Sequence, residues 1–170
     1  VTVDNTLPVV DITYPSEGQY LDSITAVWIN GTVTELNKGS AQPIINDARF
    51  TRVYWNGTHF AFKNQSFIAD GIISVTVSFT DLAGNIGSDS VTFTLDTVYP
   101  VVQITYPAEG AYLDSVHTIW VNGSVTDLNK GAAQPNINDT RFTRVYWVGG
   151  NFAFKNQSFI ADGVVSVTVS

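Results

Sequence analysis

Six asparagines of this sequence stand in the pattern Asn-x-Ser/Thr without an intervening proline, which is the acceptor pattern for an N-linked sugar. About two or three such patterns would arise by chance, so six is an excess that predicts N-linked glycans. We expect all six side chains to project from polar strand faces, turns or short connections, where a sugar does not disturb the core. The alternative is that they are ordinary turn and strand residues of a β protein. The six are Asn30, Asn56, Asn64, Asn122, Asn138 and Asn156.

Carboxylates near turns form a second candidate site. Asp81 precedes the turn residues Gly84 and Asn85, while Asp4 and Asp96 hold equivalent positions in two copies of a repeat. Carboxylate and amide oxygens are ligands that calcium takes in proteins, so we expect calcium at the hinge after the first unit, held by Asp81 and Asp96, and Asp4 at a similar hinge before that unit. No complete calcium-loop spacing is present, and the alternative is that these side chains form Asx turns and caps.

Aromatic residues beside an arginine form a third candidate site. Strand alternation places Trp55 in line with Val53, towards the core, and turns Arg52 and Tyr54 the other way. Because these residue types are enriched in contacts, we expect an exposed surface that binds a carbohydrate or a neighbouring chain. A register shift of one residue would bury the same side chains instead. The surface comprises Trp28, Arg52 and Tyr54 and their copies Trp120, Arg144 and Tyr146.

Composition and motifs argue against several classes of function. The formal net charge is −7 and the lysines and arginines form no dense cluster, so we expect no nucleic-acid partner. The chain has no cysteine, its two histidines, His59 and His117, hold unrelated positions in the repeat, and no phosphate-binding glycine loop is present. We therefore expect no catalysis. No stretch reaches the ~18 apolar residues of a membrane helix, which predicts no membrane span in this segment.

Strand alternation predicts the elements that position these residues. Residues 74–80 and 90–95 alternate polar and apolar side chains, which is typical of strands with one face on a core. Residues 81–87 between them favour a hairpin loop, because glycine and asparagine tolerate positive φ. Further strands are predicted at residues 9–14, 25–34, 51–55, 60–62 and 65–69. The predicted core of the first repeat is Val27, Ile29, Val33, Val53, Trp55, Val75, Val77, Val91 and Phe93.

The chain contains two copies of one unit. The segment VVDITYP at residues 9–15 recurs as VVQITYP at residues 101–107, and this offset of 92 holds without a gap from Pro8 to Ser78. Over these 71 aligned positions, 53 residues are identical. A period of this length fits a module with its own core rather than a short solenoid repeat.

A family resemblance lies in the run TDLAGN, the alternating strand after it, LDTVYP and then VVQITYPAEGAYL. These residues resemble the bacterial and archaeal Ig-like repeats of adhesin stalks, surface-layer proteins, filaments and other extracellular arrays. The resemblance covers essentially the whole chain and implies tandem Ig-like β-sandwich domains of about seven strands each. It also implies an extracellular, cell-surface location, and in some such repeats calcium at the hinges stiffens the array.

The repeat and the resemblance together divide the chain. Residues 1–5 correspond to the tail of a preceding repeat, 6–97 to a first Ig-like domain, and 98–170 to a second that lacks its last strand. We expect that strand to come from further repeats of the same chain, with donation by a neighbouring subunit as the alternative. The expected function is that of a non-catalytic structural repeat of a glycosylated cell-surface array, stalk or filament, whose partners are neighbouring copies or repeats. The alternative is an adhesin or carbohydrate-binding module that presents a site for a glycan or another cell-surface ligand.

Overall fold

The computed structural model describes residues 3–22, 26–66, 68–114, 118–158 and 160–170. Over these residues the chain is an all-β protein, as predicted, and no described residue lies in a helix. Accordingly, the described segments include no helix of the length and apolarity needed to cross a bilayer. The chain divides into two compact units, Val1–Thr97 and Val98–Ser170.

The first unit is an Ig-like sandwich of two four-stranded sheets. One sheet has the strand order β1-β3-β6-β5, and the other has the order β2-β8-β7-β4. The long hairpin of the second sheet is the one that the alternation predicted, since β7 and β8 pair in register from Gly71↔Leu95 to Thr80↔Ile86. The described strands are β1 (Val9–Tyr14), β2 (Tyr20–Leu21), β3 (Trp28–Thr34), β4 (Ile44–Ile45), β5 (Phe50–Trp55), β6 (His59–Asn64), β7 (Gly71–Thr80) and β8 (Ile86–Leu95).

The core of this unit lies between the two sheets, because apolar side chains recur at every second position of the strands that face each other. Trp55 stays partly exposed, but its ring packs against Phe79 with a centroid separation of 5.8 Å. The core prediction is confirmed by the burial of seven residues: Val27, Ile29, Val33, Val75, Val77, Val91 and Phe93.

The core prediction for Val53 is wrong, because its side chain is 48% exposed. Strand β5 pairs with β6 through Arg52↔Phe62 and Tyr54↔Ala61, so Val53 is an extra residue in a β-bulge. Since directly opposed residues share a face of the sheet, Arg52 turns to the inner side with Phe62, and Tyr54 lies on the outer side with Ala61.

Several short stretches of the first unit also differ from the prediction. The strand expected at residues 65–69 is absent among its described positions, with Phe67 lying outside the described residues, and Ile68 is buried in the core without strand pairing. Conversely, β2 and β4 were not predicted: Tyr20 and Leu21 of β2 pair in parallel with the end of β8, and β4 pairs antiparallel with β7. The strand expected from Thr25 begins at Trp28, and Thr25 itself is outside the described residues.

The described residues of the second unit form one four-stranded sheet, with the order β11-β12-β10-β9. Val165, Val167 and Val169 pack against its core, as their counterparts in β7 do in the first unit. An isolated bridge joins Val169 to Ile137. The described strands are β9 (Val101–Tyr106), β10 (Trp120–Thr126), β11 (Phe142–Val148) and β12 (Asn151–Asn156).

Candidate functional site

A row of side chains crosses the outer face of the β1-β3-β6-β5 sheet. Tyr14 of β1 pairs with Asn30 of β3, Asn30 pairs with Ala61 of β6, and Ala61 pairs with Tyr54 of β5. Because directly opposed residues share a face, the row places one asparagine and one alanine between two tyrosines. Neighbouring strands lie about 4.8 Å apart, so the two tyrosine Cα atoms are separated by about 14 Å.

Trp28 lies beside this row, two residues before Asn30 on the same strand and therefore on the same face. It pairs with Lys63 of β6, whose Nζ lies 5.4 Å from the centre of the indole ring. This distance is within the range of a cation–π contact. The outer face thus presents three aromatic rings, an amide and an ammonium group.

The second unit repeats this arrangement residue for residue. The row runs from Tyr106 through Asn122 and Ala153 to Tyr146. Trp120 pairs with Lys155, whose Nζ lies 5.7 Å from the indole centre. We call these two sets the aromatic rows: Tyr14, Trp28, Asn30, Tyr54, Ala61 and Lys63 in the first unit, and Tyr106, Trp120, Asn122, Tyr146, Ala153 and Lys155 in the second.

The structure removes the two arginines from the predicted contact surface. The bulge turns Arg52 inward, where Nη1 donates a 2.8 Å hydrogen bond to the carbonyl of Pro43 and Nη2 donates to the side chain of Gln42. Arg144 makes the same bond to the carbonyl of Pro135 at 2.8 Å, and a bulge separates it from Tyr146. Both arginines therefore hold the loop before them, while the aromatic residues stay on the outer face.

The predicted placement of Asn64 and Asn156 is also wrong, because these side chains are 6% and 3% exposed. Asn64 Oδ1 accepts a 2.9 Å hydrogen bond from the backbone N–H of Val27, and its Nδ2 donates a 3.1 Å bond to the carbonyl of Ser66. Asn156 makes the equivalent bonds to Ile119 and Ser158. A sugar on either Nδ2 would need space at a side chain that is almost fully buried and already has Nδ2 in a hydrogen bond.

The other four sequon asparagines are closer to solvent. Asn56 is exposed in the β5–β6 turn, where its Oδ1 accepts hydrogen bonds from the backbone of Thr58 and His59. Asn138 is exposed and uses its Oδ1 to accept a bond from the backbone of Thr168. Asn30 and Asn122 are half-buried within the aromatic rows. Glycosylation at these positions stays a prediction.

Three carboxylates come together in the first unit. One oxygen from each of Asp4, Glu35 and Asp81 lies within 4.8 Å of the others. Two asparagines support them: Asn37 Nδ2 donates to Asp4 Oδ2 at 2.7 Å, and Asn85 Nδ2 donates to Asp81 Oδ2 at 2.8 Å. The backbone N–H of Thr6 and the amide of Asn37 hold the pKa of the Asp4 carboxyl below its ordinary value.

The acidic cluster differs from the predicted calcium ligands at two positions. The prediction placed Asp81 with Asp96 and put Asp4 at a separate hinge, but Asp81 lies with Asp4 and Glu35, and Asp96 is not among them. The backbone N–H of Asp96 instead donates to the carbonyl of Leu21 at 2.9 Å. Glu35 had a signal in the sequence, since its counterpart Asp127 is also acidic.

No protein-family model matches the chain, and comparison with curated proteins finds no match. Among solved structures, the chain is similar to the fibronectin(III)-like modules of CbhA from Clostridium thermocellum, with a TM-score of 0.42 and 13% identity over 88% of this chain and 79% of that chain. It is also similar to extracellular cadherin domains 1–4 of protocadherin gamma B7, with a TM-score of 0.40 and 10% identity over 92% of this chain and 42% of that one. The Ig1-2 module of the Drosophila receptor protein tyrosine phosphatase DLAR gives a TM-score of 0.38 and 13% identity over 88% and 85%. Likenesses this distant assign neither a family nor a function to the chain.

Proposed function

We propose that the chain is a non-catalytic structural repeat of an extracellular cell-surface array, stalk or filament. The observation that carries the proposal is the internal duplication, in which 53 of 71 aligned residues are identical. A spacer gains length and rigidity from repetition, whereas a specific binding site usually needs only one copy. The partners of such a repeat are neighbouring repeats or neighbouring copies of the same protein.

The repeat carries N-linked sugars as a surface coat. Support comes from the four sequon asparagines with an exposed or half-exposed side chain: Asn30, Asn56, Asn122 and Asn138. In Asn56 and Asn138 the oxygen accepts the backbone hydrogen bonds, so the nitrogen is the atom to which a sugar attaches without breaking them.

Calcium is the cofactor proposed for the cluster of Asp4, Glu35 and Asp81. Calcium–oxygen distances of about 2.3–2.6 Å place opposite ligands about 5 Å apart, and the three carboxylate oxygens lie within 4.8 Å of one another. The three ligands come from the N-terminal segment, the connection after β3 and the β7–β8 turn, so a bound ion would fasten these three segments. A surface depression of about 360 Å³ lined by Asp4 and Glu35 gives access to the cluster.

A second candidate function is that of an adhesin or carbohydrate-binding module. The observation that favours it is the presence of an aromatic row in each unit, because aromatic faces bind the apolar faces of sugars. Two weak sites on one chain would raise the avidity for a multivalent glycan.

The experiment that tests the structural proposal is immunogold labelling of native cells with an antibody against this chain. We expect label on intact cells, arranged along a continuous layer, stalk or filament. Label that requires cell lysis would contradict the proposal. A glycan array probed with the purified chain addresses the second candidate, for which Tyr54→Ala and Tyr146→Ala together should abolish any binding observed.

A further inference from the structure

We propose that the chain's own glycan packs against the aromatic row in each unit. The sugar is attached to Asn30 in the first unit and to Asn122 in the second. The inference rests on the proposed glycosylation and deepens it. It assigns the attachment site and the aromatic side chains to one function instead of two.

The position of Asn30 supports this assignment. Strand β3 is an interior strand, so Asn30 has β1 on one side and β6 on the other. A sugar on its Nδ2 emerges in the middle of the outer face, with Tyr14 directly beside it and Tyr54 two strands away. Trp28 lies about 7 Å along the same strand. The first sugars of the glycan therefore have aromatic side chains on both sides and at one end.

The chemistry of the row matches that of a saccharide. A pyranose ring has apolar C–H faces, which stack on tyrosine and tryptophan, and hydroxyl groups at its edge, which need hydrogen-bond partners. Lys63, above Trp28, supplies an ammonium donor next to the ring. The short side chains of Asn30 and Ala61 leave room between the two tyrosines.

The second unit adds an independent observation. The Oδ1 atom of Asn122 is buried and has no hydrogen-bond partner among the residues that the structure describes. Ala153 beside it is 1% exposed, while the neighbouring rings of Tyr106 and Tyr146 remain 45% exposed. A buried acceptor without a donor is costly, so the Asn122 side chain gains from a rotation that brings Oδ1 to the surface, where a sugar hydroxyl or amide supplies a donor.

The sequon in the aromatic row is present in both units, whereas the two exposed sequons are each present in only one. Asn56 is replaced by Val148 in the second unit, and the counterpart of Asn138 is Asn46, which has no hydroxyl residue two positions later. In contrast, the row is identical in both copies. Thr32 is replaced by Ser124, which keeps the sequon. The middle residue of this sequon is glycine in both units, Gly31 and Gly123. An added Cβ there would meet the carbonyl of a neighbouring strand and a core phenylalanine ring.

The test is a double-mutant comparison on the full chain purified from its native cells. The first pair of changes, Tyr14→Ala with Tyr54→Ala, removes the rings, and Asn30→Gln removes the glycan. Peptide mapping first establishes glycan occupancy at Asn30. We expect the ring changes to lower the melting temperature by about 4 to 8 °C in the glycosylated chain, and by much less in the Asn30→Gln background.

Two controls keep the comparison specific. Tyr54→Phe keeps the ring and should behave as the unchanged chain does. Val53→Ala changes an exposed residue outside the row and should shift both backgrounds equally.

The outcomes separate this inference from the proposed glycosylation. If Asn30 is glycosylated and the ring changes shift the melting temperature equally in both backgrounds, the glycan does not pack against the row. This result would overturn the inference and leave the proposed glycosylation intact. Asn30 and Asn122 without attached sugar would overturn both this inference and the proposed glycosylation of the two sites. If the Asn30→Gln chain binds free oligosaccharides through Tyr54, the row is a site for an external glycan, which would also overturn the inference.

Discussion

Asn64 and Val27 are joined by a buried hydrogen bond, in which the backbone N–H of Val27 donates to Asn64 Oδ1 over 2.9 Å. The same amide group donates to the carbonyl of Ser66 over 3.1 Å. One side chain therefore satisfies a donor just before β3 and an acceptor just after β6. The relationship recurs in the second unit as Asn156 and Ile119, at 2.7 Å. These asparagines are structural, although their sequence context is that of a glycan acceptor.

Asn64→Ala should therefore destabilise the first unit by about 1–3 kcal/mol, because it leaves the buried Val27 N–H without an acceptor. Urea denaturation measures the loss, and hydrogen exchange of the Val27 amide should accelerate in parallel. Gln65→Ala, at an exposed neighbouring position, is the matched control and should change stability by less than about 0.5 kcal/mol. Equal losses of stability from the two changes would show that the Asn64 amide group does not stabilise the fold through its buried hydrogen bond.

The bulge in β5 predicts opposite results for two valines. Val77→Asp places an unpaired carboxylate in the core, so it should cost several kcal/mol or prevent folding. Val53→Asp places the same carboxylate at an exposed bulge and should cost less than about 1 kcal/mol. Thermal unfolding of the two variants checks the prediction. A large loss of stability in Val53→Asp would place Val53 in the core, as regular alternation predicts, and would contradict the bulge.

The Asp47–Arg49 pair predicts an acid dependence of stability. Hydrogen bonds from the Arg49 side chain hold the pKa of the Asp47 carboxyl below its ordinary value of 3.8, and the Nη2–Oδ2 distance is 2.5 Å. A carboxyl whose folded pKa is lowered stabilises the fold above its unfolded pKa and loses this contribution as the pH falls through the folded pKa. The contribution is less than about 1 kcal/mol because Arg49 is largely exposed. NMR titration of Asp47 should give a midpoint below 3.8 that rises in Arg49→Gln, and an unchanged midpoint would contradict the pairing.

The acidic cluster predicts a specific response to calcium. Added calcium should raise the melting temperature of the first unit, because an ion that binds only the folded state stabilises it. Glu35→Gln should weaken this response, whereas Asp11→Asn, a carboxylate outside the cluster, should leave it unchanged. If the melting temperature of the unchanged chain does not depend on calcium, the proposal that the acidic cluster binds calcium is wrong.

The regular strands were predictable because their signal is local. Val75, Val77 and Phe93 lie on one face of two long strands, and period-two alternation identifies such residues without knowledge of their partners. The strand β1 (Val9–Tyr14) has the predicted boundaries for the same reason.

The remaining features depend on pairing across the sheet, which one strand does not encode. The bulge at Val53 exists because two residues of β5 oppose one position of β6, and this reverses the side on which Arg52 lies. Asn64 is buried because a backbone N–H 37 residues away needs an acceptor. Glu35 joins Asp4 and Asp81 through the fold of three separate segments.

Glycopeptide mass spectrometry of the protein from its native cells gives the sharpest test of the proposed glycosylation, because it reads each asparagine separately. We expect sugar on Asn30 and Asn122, which lie in the aromatic rows, and on the exposed Asn56 and Asn138. We expect Asn64 and Asn156 to be unmodified, because their amide groups are buried and hydrogen-bonded. Sugar on either of these two, or six unmodified asparagines, would contradict this expectation.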